Sequence, residues 1–396
     1  MNIKKIKTLS FDQNFPYGNS VEYFLKKYHI DHDVEIYRFF YDVGMEFTQY
    51  EHLKNINYRS KIIFWITNDS FEDEGNIINN QDRKELKKIE TICNDNPDKI
   101  FILCNWQYNL NQFITARNLF TINPINVKFN NRYIRCNKKI FKDKRWILLN
   151  NKMLPHRLCL ISYLVSHGLD KNGLITNGNN YAFLEFSQQS TFIEKYLKKV
   201  LDFFNFGNNS EKVKTAYNKV LNDDYDKLFL HLYESDKSNS YNYRYLMKNV
   251  YQHTALEIIS SSSFFDAFIL GEKEIQNIYA QNFPIYISSP YTADIMKNKF
   301  GFDIFDDIID HSYDKIIDPG KRLLTAIDSN IHLLNNTVDL EALWYKNQHR
   351  FEKNCNIADK LFFDRSHQVK FDEAEIKKAF DHFNIKYTKK KKTKSI

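Results

Sequence analysis

Glycine and proline are scarce in this chain: 10 glycines and 7 prolines occur in 396 residues. No G-x-G-x-x-G, G-x-S-x-G or H-E-x-x-H pattern occurs, which weighs against dinucleotide oxidoreductases, serine hydrolases and zinc proteases. No segment reaches the run of about 18 apolar residues that a membrane helix needs. The opening "MNIKKIKTLSFDQNF" carries positive charge without the apolar core of a signal peptide. The expectation is a cytoplasmic protein without a membrane span. The 5 cysteines, Cys93, Cys104, Cys136, Cys159 and Cys355, form no C-x-x-C pair. That argues against a disulfide framework or a zinc ribbon and for buried free thiols.

Apolar residues are plentiful, at 43% with 16% aromatic, so core material is ample. At this length one ordinary core of about 100 to 200 residues is exceeded, and two domains are expected. The net charge of +7 would attract polyanions, but "KKKKTK" at 389–394 supplies 5 of those charges by itself. Such a run reads as a solvated end or as a phosphate-tracking arm on nucleic acid. Lys, Asn and Ile abound throughout, as an AT-rich coding sequence would give, and no internal repeat is present.

"KIIFWIT" at 61–67 and "KIFILCN" at 99–105 are apolar runs of strand length without alternation. Between them Leu86, Ile89 and Ile92 recur at helical spacing. The spacing predicts a βαβ unit whose strands are covered on both faces of a parallel sheet. A second series runs from "KRWILLNN" at 144–151 through "PHRLCLISYLVSHG", with Pro155 in its first turn, to "GLITNG". Residues 194–248 are mainly helical in pattern; 255–263 reads as a strand, 272–281 as a helix, 284–289 as a strand and 290–299 as a helix. The expected fold is α/β, two facing Rossmann-like domains with a helical C-terminus. Its divisions are 1–143, 144–345, and 346–396, C-terminal helices and a basic tail. Ligands of open α/β sheets bind outside the carboxyl ends of the strands, which singles out the loops after 67, 104, 150 and 259.

In that frame Gly271-Glu272-Lys273 is the most informative triplet. A helix starting at Glu272 would direct free N–H groups and its positive dipole end to one spot, and Lys273 would add a full charge there. Glu272 would offer acceptors to vicinal hydroxyls; the simpler alternative is a helix-stabilising Glu272 beside a solvated Lys273. A Walker A loop does not fit: no glycine lies five residues before Lys273, and Glu274 follows where Ser or Thr would hold magnesium. Asp31-x-Asp33 and Asp224-x-Asp226 could hold a nucleotide-bound metal, but such pairs arise readily among 49 acidic residues. No metal site is assigned.

The stretch "ALEIISSSSFFDAFILGEKEIQNIYAQNFPIYI" at 255–287 resembles the donor-binding motif of the family 10 fucosyltransferases. There an F-E-N strand end precedes E-K, a helix and P-V-V. Closer still are fucosyltransferase-like proteins of large tailed phages, with their G-F and I-D-x-S-Y-D signatures. Here those read Gly301-Phe302 and Ile309 to Asp314, followed by Arg322, and "LPHR" at 154–157 parallels the group's R-P-H-R. The resemblance spans roughly residues 144–325. It implies a nucleotide-sugar glycosyltransferase of GT-B-like fold, with 1–143 on the acceptor side and 144–345 as the donor domain, Glu257 and Glu272 on ribose or sugar hydroxyls, and Lys273 and Arg157 on the diphosphate. No obligatory metal or other cofactor is implied. Ile258 replaces the Asn of F-E-N, so fucose as the donor sugar is not supported, and Ser260 to Ser263 read as turn.

An inverting transfer also needs a base for the acceptor hydroxyl. "NDSFEDEG" at 68–75 offers Asp69, Glu72, Asp73 and Glu74, with Asp69 nearest the strand end; Asp69 and Glu74 are the candidates. The acceptor would be a modified base in DNA or a glycan, and "RYIRCNKKIFKDKR" at 132–145 would be either a phosphate-contacting loop or a solvated linker. The rival from another class is a non-catalytic nucleic-acid-binding or virion protein on the same fold.

Overall fold

The computed structural model describes residues 6–8, 19–39, 53–67, 84–105, 107–123, 133, 135–141, 145–150, 155–175, 204, 206–207, 210–222, 250–261, 264 and 268–390. The chain divides into two compact units, residues 1–128 with 359–396, and residues 129–358. Both are built on parallel sheets, an α/β architecture of Rossmann-like kind.

The first unit runs β1 (Ile6–Thr8), α1 (Asn19–Lys27), β2 (Tyr28–Ile30), β3 (Val34–Phe39), β4 (Ile62–Thr67), α2 (Lys84–Asp95), β5 (Ile100–Cys104) and β6 (Leu119–Ile122). Its sheet has the order β1-β3-β4-β5-β6, all neighbours parallel. Every residue of β4 is buried, because successive side chains feed two cores. Ile62, Phe64 and Ile66 pack with Phe24 and Ile36. Trp65 instead joins Phe101, Tyr58 and Tyr37 in a ring cluster. Leu86, Ile89 and Ile92 of α2 are all buried, as their spacing predicts.

The second unit runs β7 (Trp146–Leu148), α3 (Pro155–Ser166), β8 (Gly173–Ile175), α4 (Ser210–Asn222), β9 (Leu256–Ser260), α5 (Glu272–Ala280), β10 (Phe283–Ile287), α6 (Thr292–Asn298), α7 (Pro319–Asp328) and α8 (Ile331–Leu334). It closes with α9 (Leu340–Lys346) and α10 (Gln348–Ala358). The parallel sheet has the order β10-β9-β7-β8. From β7 the chain steps outward to β8, then returns to the other side of β7 for β9 and β10. The direction of winding therefore reverses between β7 and β9, which makes the carboxyl ends of those two strands the switch point of the sheet.

β10 lies at the edge, where Pro284, lacking an N–H, costs no ladder bond. The next outward N–H, that of Tyr286, donates to the Tyr313 hydroxyl at 2.9 Å. Asp314 accepts from the N–H groups of Ala293 and Asp294 at the head of α6. The Arg322 guanidinium donates to the carbonyls of Ser288, Ile316, Ile317 and Phe264. Three residues of the phage-like signatures thus hold the edge of the sheet in place.

In the described part of 132–145, Arg135, Asn137, Lys138 and Ile140 are exposed, whereas two residues turn inward. Cys136 and Lys139 are buried. Lys139 Nζ donates to the carbonyls of Tyr251, Thr254 and Ala280 and to Asn282 Oδ1. These bonds tie the end of α5, at Ala280, to the segment before β9, and burial lowers the Lys139 pKa to about 7.

The divisions fall at 128/129 and 358/359, where the sequence suggests 143/144 and 345/346. The C-terminal residues are not a region of their own. α10 stays with the second unit, whereas α11 (Arg365–His382) and β11 (Tyr387–Lys389) belong to the first. There Ile376, Ala379 and Phe380 enter the core and β11 pairs antiparallel with β2. The head of the lysine run is also fixed: Lys389 ends β11, and Lys390 Nζ donates to Leu25 O near the end of α1. No helix among the described residues is long and apolar enough to cross a membrane.

Candidate anion site at the strand switch point

Lys273 stands in the first turn of α5 and reaches over the ends of the two strands that flank the switch point. Its Nζ donates to Leu149 O, just past β7, and at 2.9 Å to Ser260 O, the last carbonyl of β9. Arg157, in the first turn of α3, donates from Nη2 to the same Ser260 O at 3.2 Å. Two donors on one oxygen are separated by no more than the sum of 2.9 and 3.2 Å. Burial pulls the Lys273 pKa far below the ordinary lysine range, and the neighbouring Arg157 charge pushes in the same direction against the pull of Glu274, Glu257 and Glu272. Among the described residues Lys273 makes no ion pair; its Nζ is received by backbone carbonyls.

His156, beside Arg157, lies flat on Phe264, with ring centroids 4.7 Å apart, and its Nε2 meets Ser261 O at 2.8 Å. Burial and then Arg157 lower its pKa well below the usual value, so the imidazole is neutral and adds no charge. Ser260 itself is fully buried, and its hydroxyl has no hydrogen-bond partner among the described residues.

The expected residues separate in space. Arg157 and Lys273 converge, but Glu272 is exposed on α5, because adjacent residues on a helix point about 100° apart. Glu257 is 1% exposed, accepting from Tyr251 Oη at 3.2 Å and Asn277 Nδ2 at 3.0 Å. It therefore sits under the sheet and offers no oxygen to a sugar in this conformation. Burial raises its pKa to about 7. Asp69 and Glu74, like Glu72 and Asp73, lie outside the described residues.

The head of α5 also differs from the expected open nest. Glu274 Oε2 accepts from the Gly271 N–H at 3.0 Å, the reach-back half of a capping box, whose three-residue spacing is readable in the sequence. A Cβ on Gly271 would lie 2.8 Å from that carboxylate oxygen, so any other residue there would displace the Glu274 side chain. Burial raises the pKa of Glu274. The cationic locus is thus the Lys273–Arg157 pair beyond the strand ends, and not the helix terminus alone. Ser260, read as turn from the sequence, instead closes β9; His156 and Glu274 were missed by sequence reasoning, and of these only Glu274 had a spacing signal.

Among the described residues no group of three or more His, Cys, Asp or Glu side chains is placed to hold a metal ion. No protein-family model, curated protein or solved structure matches this chain, so the likeness to fucosyltransferase-like proteins stands on its motifs.

Proposed function

We propose that the chain is a nucleotide-sugar-dependent glycosyltransferase of two facing domains, which binds the donor diphosphate at the β7/β9 switch point. The observation that carries this reading is the convergence of Lys273 and Arg157 on Ser260 O at the carboxyl ends of those strands. When Lys273 is protonated the two charges, no farther apart than the sum of 2.9 and 3.2 Å, repel by roughly 3 kcal/mol or more at an effective dielectric of about 20, which helps hold its pKa down in the free protein. A phosphate oxygen between them turns that repulsion into two attractions. As the glycosidic bond breaks, negative charge grows on the leaving diphosphate, and fixed cations stabilise it most at that moment.

Asp69 or Glu74, following β4 of the first unit, is the proposed base that takes the proton of the acceptor hydroxyl. The burial of Lys139 takes one cation of 132–145 away from DNA, while Arg135 and Lys138 stay exposed; a DNA base or a glycan hydroxyl is the acceptor within this proposal.

The test is calorimetric titration and thermal shift with GDP, UDP, ADP and their sugar conjugates. At least one should bind, and Lys273→Ala and Arg157→Ala should each weaken it by about tenfold or more, as loss of a charge-assisted hydrogen bond does. If none of these compounds shifts the melting temperature of the wild type, the reading is wrong.

A further inference from the structure

Ser260 closes β9, the central strand on one side of the switch point, and its two oxygens have opposite fates. The carbonyl is doubly engaged, by Lys273 Nζ at 2.9 Å and Arg157 Nη2 at 3.2 Å. The hydroxyl on the same residue is buried and has no partner among the described residues. A buried hydroxyl without a partner costs about 1–3 kcal/mol, and such groups in a folded protein call for an explanation. The fold itself gives Ser260 none: alanine would fill nearly the same space without the cost, and the neighbouring Ile258 and Ile259 of the strand are apolar and buried. The other serines of this region are used. The Ser289 hydroxyl lies 3.4 Å from Thr292 Oγ1, and the Ser261 side chain hydrogen-bonds Glu274.

We infer that Ser260 is a ligand-binding residue whose hydroxyl donates to an oxygen of a phosphoryl group held between Lys273 and Arg157. This rests on the donor-site reading above and adds a neutral donor to the two cations. The ligand class is a diphosphate ester, because two cations and a hydroxyl on adjacent strand and helix ends match several anionic oxygens spread over more than one phosphorus. A hydroxyl donor in place of a third cation limits the charge that must be buried when no ligand is present.

A residue kept for the fold and one kept for the ligand differ in what their removal does to the free protein. Ser260→Ala and the volume-conserving Ser260→Cys should leave the melting temperature of the free protein unchanged or raised. Both should weaken binding of the nucleoside diphosphate that titrates the wild type by about tenfold, as loss of a hydrogen bond to a charged group does. Inorganic pyrophosphate, titrated in parallel, should show the same ratio if the contact is to phosphate and not to base or ribose. Wild-type binding with equal affinity in both variants overturns the inference and leaves the donor site standing. A lower melting temperature with unchanged affinity shows a hydroxyl serving the fold and overturns it too. Absence of wild-type binding to every diphosphate overturns the donor-site reading, and this inference with it.

Discussion

Glu257 carries a measurable pH signature. Burial raises its pKa from 4.5 to about 7, while hydrogen bonds from Asn277 and Tyr251 and the Lys273 charge pull the other way. The folded chain therefore keeps a proton that the unfolded chain has given up. The stability this group contributes is complete below pH 4.5 and is lost as pH rises through about 7. By that shift the fall is at most about 3 kcal/mol. Glu257→Gln stays neutral, can accept from Asn277 and can donate to the Tyr251 hydroxyl. Urea unfolding at pH 5 and pH 8 should show the variant losing less stability than the wild type between them. An equal loss in both would mean that Glu257 is ionised within the fold at either pH. This carboxylate also shows what single residues conceal. Its placement in a motif suggested a ligand contact, yet which side of β9 it occupies depends on strand register, which one sequence does not state. Lys139 misleads in the same way: a lysine among lysines reads as surface, and four oxygens brought in from distant positions make it interior.

Elements were easier to read than side chains, because periodicity survives without tertiary knowledge. β4, α2, β5, α3 and β8 fall where apolar runs, helical spacing and Pro155 put them, and α5 and β10 lie within a residue or two of the expected spans. What no local pattern reveals is the tightness of contacts between elements. α7 opens with Asp318, whose side chain accepts from Lys321 N at 2.6 Å, and Pro319 at its first position. Gly320 then looks like a poor helix residue. Its reason is external: a Cβ there would lie 2.2 Å from the Phe204 carbonyl oxygen. That obstacle is backbone, which cannot rotate away. Gly320→Ala should cost about 1–3 kcal/mol, the range for overpacking, despite the better helix propensity of alanine. Thermal or urea unfolding decides the sign, and a stabilised variant would refute the close approach.

At the scale of the whole molecule, strand order and chain return were the features least legible in advance. Both are long-range, and the scattered apolar positions of 365–390 do not name their partner. The order β10-β9-β7-β8 is what turns two separated motifs, around Arg157 and around Lys273, into one locus. The return of 359–390 to the first unit is specified by side chains 300 or more residues away in sequence. Phe380 is fully buried among Phe24, Phe64 and Tyr387. Glu373 accepts from Lys27 Nζ and from Tyr28 Oη. Burial pushes the Glu373 pKa up, but the donors Lys27, Tyr28 and Lys377 outweigh it and bring it to about 2. Its contribution, about 1 kcal/mol after solvent screening, is present above pH 4.5 and lost as pH falls through 2, so the core contact is the larger tether at neutral pH. Phe380→Ala should cost about 3–5 kcal/mol, and the loss should fall on the first unit. Hydrogen exchange should show faster opening of β3, β4 and β5, with β7 and β9 protected as in the wild type. Equal loss of protection in both sheets would mean that the units unfold as one body, and that the C-terminal return secures more than the unit it enters.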